Sequence, residues 1–142
     1  MDVNSIMTAR VVTVEMDDRL DVVKKIFDTL KFHHLLVVDD HKKLIGVVSD
    51  RDLLRALSPN VGGAAETARD IATLNKRVHQ IMSRNPITLH AQAALGDAVQ
   101  LFLEQRISCI PIVDHEFKPV GILSWRDVLK ALHADRSHAA KH

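Results

Sequence analysis

Gly46-Val47-Val48-Ser49-Asp50-Arg51-Asp52 returns as Gly121-Ile122-Leu123-Ser124-Trp125-Arg126-Asp127, 75 residues downstream (46 to 121). The same step relates Ile6-Met7-Thr8 to Ile81-Met82-Ser83, Thr13 to Thr88, Leu20 to Leu95, Phe27 to Phe102 and Val38-Asp39 to Val113-Asp114. It runs without a gap as far as Leu57 and Leu132. A gapless duplication is rarely accidental and is read before any local signal. Two copies in so short a chain imply a pseudo-two-fold pair rather than an open-ended array.

With 142 residues the chain is about one domain long and can bury a real core. Its 46% hydrophobic and 26% charged residues are ordinary for a soluble globular protein. The formal net charge is +1, with basic and acidic residues interspersed, so the sequence offers no basic stripe for a nucleic-acid partner. The one cysteine, Cys109, sits in an apolar run, reads as a buried hydrophobe and can form no internal disulfide. An early acid, Asp2, and the lack of a long apolar run argue against a signal peptide or a membrane span. The expectation is a cytoplasmic protein.

Each copy reads as strand, helix, strand, strand, helix. In the first, Val11 to Val14 is a β-branched strand, and Asp17 or Asp18 is placed to cap a helix with apolar positions Val22, Val23, Ile26, Phe27 and Leu30. Leu35–Val38 and Leu44–Val48, joined by a polar turn, make a hairpin, and a helix follows Ser49. In the second copy Ile87–Leu89 is the strand, Leu95–Leu103 the helix, Cys109–Val113 and Val120–Leu123 the hairpin, and Trp125–Leu132 the last helix. Pro111 inside a strand suggests an edge or strand-start position. The expected organisation is copy 1 over residues 1–60, a linker over 61–78, copy 2 over 79–133 and a disordered polar tail over 134–142. Ile71, Leu74, Val78 and Ile81 recur at helical intervals, so a packed helix is expected in the linker.

The duplicated Gly-φ-φ-Ser-x-x-Asp, with φ apolar, puts a serine at a strand end and an aspartate in the first turn of a helix. One reading is a variant capping box, in which hydroxyl and carboxylate satisfy free backbone N–H groups for about 1 kcal/mol. The other is a ligand site. The glycine permits close approach to the backbone, the helix start favours a phosphate, and a carboxylate can accept both hydroxyls of a ribose. Serine on phosphate and aspartate on sugar together describe a nucleoside phosphate site.

From Val3 to about Leu132 the chain resembles a tandem pair of CBS domains, or Bateman module. Ile6-Met7 and Ile81-Met82, Val37-Val38-Asp39 and Ile112-Val113-Asp114, and both Gly-φ-φ-Ser-x-x-Asp ends carry the resemblance. It implies an α/β fold of two pseudo-symmetric β-α-β-β-α units packed through their sheets as one module. The clefts between the units would bind an adenosine-containing ligand: AMP, ADP or ATP, less often NAD or S-adenosylmethionine. It also implies that Ser49 and Ser124 contact phosphate and Asp52 and Asp127 contact ribose. Val11, Val12, Pro86, Ile87, Val47 and Ile122 would line the base pocket. His33 and His34 occupy a place where nucleotide-binding relatives hold basic residues, whereas the second copy has Ser108 and Cys109. Leu36 stands where the family often has proline, which Pro111 keeps. The two clefts are therefore expected to differ. The family commonly stacks pairs into a disc, so a homodimer is expected.

Nine histidines raise the question of a metal, but His33 and His34 are adjacent, and in an extended segment they face opposite ways. His79, His90 and His115 are scattered, and no cluster has zinc-site spacing, so no metal is expected. Cys109 has no adjacent base, and the sequence contains no P-loop and no nucleophile elbow, so no enzyme activity and no required cofactor are expected. Trp125 reads as a packing or subunit-contact residue. The sum is a regulatory, adenine-nucleotide-sensing protein that signals in trans to an effector protein. The competing reading is a ligand-free dimerisation or protein-interaction module.

Overall fold

The structure, a computed structural model, describes the backbone of residues 1–140 and the side chains of residues 1–136. The first copy forms β1 (Thr13–Glu15), α1 (Leu20–Thr29), β2 (His34–Val38), β3 (Leu44–Ser49) and α2 (Asp50–Ala56). After α3 (Ala68–Ala72) and β4 (Ser83–Arg84), the second copy forms β5 (Leu89–His90), α4 (Leu95–Glu104), β6 (Cys109–Val113), β7 (Pro119–Ser124) and α5 (Trp125–Ala140). The expected β-α-β-β-α order is present twice in this mixed α/β chain.

Two compact units form, and they do not coincide with the two copies. One is Val12–Pro86; the other joins Met1–Val11 to the chain from Ile87 onward. The chain leaves one unit for the other after Val11 and again after Pro86, which are equivalent positions of the repeat.

In the Val12–Pro86 unit the sheet order is β1-β2-β3-β4, with β1 parallel to β2 and the later pairs antiparallel. Its last strand is contributed by the start of the second copy, Ser83 and Arg84 pairing with Val47 and Gly46. In the other unit the order is β5-β6-β7, and the start of the first copy joins its edge. There Thr8 and Ile122 exchange two backbone bonds of 2.9 Å, and Val3 N–H donates to Ala93 at 2.8 Å. Leu20, Val23, Leu35, Val37, Val48 and Val78 are fully buried in the first core, as are Val3, Ile110, Ile112 and Leu123 in the second.

Several local expectations are corrected. The Asp18 carboxylate does not cap α1; it accepts Glu15 N–H at 2.8 Å and closes the preceding turn, and the N-cap residue is Arg19, without a side-chain bond. The linker does include a helix, α3, but the helical spacing does not carry on to Ile81; beyond α3 the chain forms two single 3-10 turns, Thr73–Asn75 and Val78–Gln80. The cause lies in residues 76–79, which are drawn out to bond the start of α1. Leu20 N–H donates to Lys76, Val78 N–H to Asp18 and His79 N–H to Met16, at 2.9, 2.9 and 3.0 Å. Ile71 is consequently exposed while Val78 is buried. The last helix does not stop near Leu132 but runs to Ala140, so residues 134–140 of the expected disordered tail are helical. The segment holds alanines and no proline or glycine, and so carries no stop signal. Residues 141–142 lie outside the described residues.

Pro111 is neither at a strand start nor on an edge strand; it lies inside β6, the central strand of its sheet. In the other unit Leu36 N–H donates to Val12 C=O at 3.1 Å, and β1 pairs with β2 at Thr13, Val14 and Glu15. Proline has no N–H to donate. Pairing of β5 with β6 accordingly begins one position later, at Leu89 opposite Ile112.

Candidate functional site

Both Ser-x-x-Asp elements fold as helix caps. Ser49 is the N-cap of α2: its Oγ accepts Asp52 N–H at 3.0 Å, and Ser49 N–H donates to Asp52 Oδ2 at 2.9 Å. The second copy repeats this on α5. Asp127 N–H donates to Ser124 Oγ at 3.3 Å, and Ser124 N–H to Asp127 Oδ2 at 2.9 Å. Ser124 Oγ also lies 3.1 Å from that carboxylate oxygen. Each backbone-to-carboxylate cap bond therefore uses the same one of the two oxygens, Oδ2. Asp127 turns its Oδ1 to Thr8, whose hydroxyl donates to it at 3.2 Å. Thr8 was not singled out by the sequence as a site residue, although it belongs to the repeated Ile6-Met7-Thr8 landmark.

The glycines do allow close approach, and what approaches is the chain itself. A Cβ on Gly46 would stand 2.9 Å from both Met82 Sδ and the Ser83 carbonyl, and one on Gly121 would stand 2.5 Å from Met7 Sδ. Residues exchanged between the copies fill these places. Asp127 also lines an open groove of about 530 Å3 with Ser5, Ile6 and Lys130. The groove puts a carboxylate and an ammonium in one concavity, next to the start of a 16-residue helix.

The remaining candidate residues divide between the units. Val47 is buried in β3, and Ile122 is half-buried in β7 opposite Pro111. Val12 and Pro86 belong to the same unit as Ser49 and Asp52, while Val11 and Ile87 go with Ser124 and Asp127. All four are half-buried. His33 is exposed, with Nδ1 2.9 Å from Asp50 Oδ2. His34 opens β2 opposite Ser49 and is half-buried. Burial pushes its pKa below 6.5, outweighing the opposing pull of Asp50 and Asp52, while charge on His33 lowers it further. Burial raises the Asp50 carboxyl, but the hydrogen bond and charge of His33 outweigh it and leave the group below its ordinary value. The sequence did not signal Asp50 as the partner of His33, since the contact joins the residue before β2 to the first residue of α2, 17 positions on.

Burial pushes the Cys109 thiol up to about 12, in keeping with a core side chain. Among the described residues no three His, Cys, Asp or Glu side chains gather as metal ligands would. Among the same residues, no helix is long and apolar enough to cross a membrane.

The CBS domain family model matches the chain twice, over residues 3–59 and 78–134. The chain belongs to the CBS domain family. A CBS domain-containing protein of Dictyostelium discoideum is 30% identical over 131 residues, covering 92% of this chain and 90% of that protein. The structure of the CBS-pair protein CBSX2 in complex with AMP matches with a TM-score of 0.78 and 29% identity, over 95% of this chain and 98% of that one. The CBS domain pair of MJ0100, solved with 5'-methylthioadenosine and S-adenosyl-L-methionine, matches with a TM-score of 0.76 and 25% identity, over 93% and 99%. Other matched relatives are much longer, and this CBS pair spans 21–22% of two of them.

Proposed function

We propose that this CBS pair is a cytoplasmic regulatory protein that binds an adenosine-containing ligand, works as a homodimer and signals in trans to an effector protein. AMP, methylthioadenosine and S-adenosylmethionine, the ligands solved with its relatives, have adenosine in common and differ in what the 5' carbon carries. Recognition of the shared part falls to the ribose and the base. The observation that carries the reading is the use of one carboxylate oxygen in each cap. An aspartate can hold its helix start through Oδ2 and still offer Oδ1 to a ribose diol. At Asp127, Thr8 stands beside that oxygen and its hydroxyl can turn to the same sugar. Ser49 and Ser124, at the helix starts, supply hydroxyls for a phosphate. A ligand acts on such a pair only through its different affinity for two conformations.

One observation favours the competing reading of a ligand-free interaction module: in both elements serine and aspartate bond each other's backbone N–H groups, as a purely structural cap does. A thermal-shift screen with AMP, ADP, ATP, NAD, S-adenosylmethionine and guanosine nucleotides separates the two, because a ligand specific to the folded state raises its stability by mass action. Stabilisation by the adenosine set supports sensing. A flat response across all of them leaves the interaction module.

A further inference from the structure

The groove beside Asp127 is built differently from the matching place in the other unit. Lys130, Ala131 and Ala134 follow Asp127 by three, four and seven positions, so all four share one face of α5. Met1, Ser5 and Ile6 form the facing wall. Ala134 and Asp135 reach the groove because α5 continues beyond Leu132. At the matching place α2 stops at Ala56. Lys76, the repeat equivalent of Met1, donates there through Nζ to the Ala56 carbonyl at 3.0 Å, and Ser58 N–H donates to Thr73 Oγ1 at 3.2 Å. The linker thus closes over the end of α2. Pro59 and Asn60 stand where the second copy has Ala134 and Asp135, so one carboxylate is missing there too.

Met1, Ile6, Ala131 and Ala134 give the groove an apolar lining, to which Lys130 adds an ammonium and Asp127 and Asp135 add carboxylates. Asp127 already holds Thr8 and the start of α5. Among the described residues, neither the Lys130 nor the Asp135 side chain forms an ion pair or a hydrogen bond. Two unpaired charges of opposite sign beside an apolar wall match a molecule that carries a carboxylate, an ammonium and a hydrocarbon side chain. We propose that this groove binds a free α-amino acid with an apolar side chain, its carboxylate on Lys130, its ammonium on Asp135 and its side chain against Ile6 and Ala131. At about 530 Å3 the groove has the size of a small-molecule site, where a few placed polar groups in an apolar lining set specificity. Other ligand charges fit less well. A phosphate would meet two carboxylates and one ammonium, and a simple amine would leave Lys130 unpaired.

The amino-acid site goes beyond the adenosine reading and is tested apart from it, with Asp127 left as it is. Calorimetry on the full chain is run with L-leucine, L-methionine and L-phenylalanine, each beside its deaminated and its decarboxylated analogue. The expected result is saturable binding of one or more of the three, about tenfold or more tighter than either analogue. Lys130 and Asp135 are exposed, so Lys130→Gln and Asp135→Asn should melt like the parent without ligand. Each should bind the amino acid about tenfold more weakly, having lost a charge-assisted hydrogen bond. Arg55→Gln, at the position on α2 that matches Lys130, should leave the affinity unchanged. No binding of any of the three amino acids overturns the proposal, as does parent-like affinity in both charge variants. Equal affinity for the decarboxylated amine would leave Lys130 without a role and also overturns it. Binding of AMP, or its failure, bears only on the adenosine reading.

Discussion

Asp127 does two jobs with two oxygens, and that division makes the ribose role testable. Removing a charged acceptor from a sugar hydroxyl pair costs about 1.5–3 kcal/mol of binding. Asp127→Ala and Asp52→Ala are therefore expected to weaken binding of AMP by that amount in calorimetry. Loss of a cap alone would lower stability by about 1 kcal/mol and leave affinity unchanged, and that result would reject the ribose assignment. His34 makes the second residue-scale prediction. Burial holds its pKa below 6.5 in the folded chain, so the unfolded chain takes up the proton first as the pH falls. Stability should decline as the pH drops from about 6.5, and His34→Ala should flatten that decline in denaturant titrations across pH. The same shift moves any gain in ATP affinity from His34 to pH values below 6.5 rather than the pH 8 to 6 span suggested by an unperturbed imidazole. Equal pH profiles for parent and variant would remove His34 from both effects.

At the scale of elements, strand pairing explains differences between copies that residue types alone do not. Leu36→Pro deletes the 3.1 Å bond to Val12 in a buried strand and leaves that carbonyl unpaired. An orphaned buried polar group costs about 1–3 kcal/mol, so chemical denaturation should show a loss of that size with β1 shortened to match β5. The glycines give a paired comparison. At Gly46 an added Cβ meets the Ser83 backbone at 2.9 Å, whereas at Gly121 its nearest neighbours are all Met7 side-chain atoms, which can rotate away. Gly46→Ala should destabilise more than Gly121→Ala, and the reverse order in thermal melts would mean that β4 is not held as described. Capping boxes, hairpins and helix faces were legible because they depend on neighbours three or four positions apart. The end of the linker helix was not, because three long-range backbone bonds to residues 16–20 overrode the helical spacing beyond α3.

For the whole molecule, the exchange of starting segments has a direct consequence. Val3, at the beginning of the chain, is fully buried in the core built mainly from its second half. Burying a valine contributes about 1.5–3 kcal/mol, so Val3→Ala should weaken hydrogen-exchange protection chiefly in residues 87–136 and spare residues 12–86. Protection lost instead in 12–86 would contradict the division of the units.

The sequence by itself determined the duplication, the repeated β-α-β-β-α order, the family and the serine-aspartate caps, since each follows from local pattern read twice. Only the tertiary structure decided which sheet each starting segment completes, which neighbour each glycine admits and why Pro111 sits within a central strand. Ile6-Met7-Thr8 and Ile81-Met82-Ser83 are so alike that local preference cannot choose between the two sheets. The path of the chain and the packing of Val3 and Val78 into opposite cores make that choice.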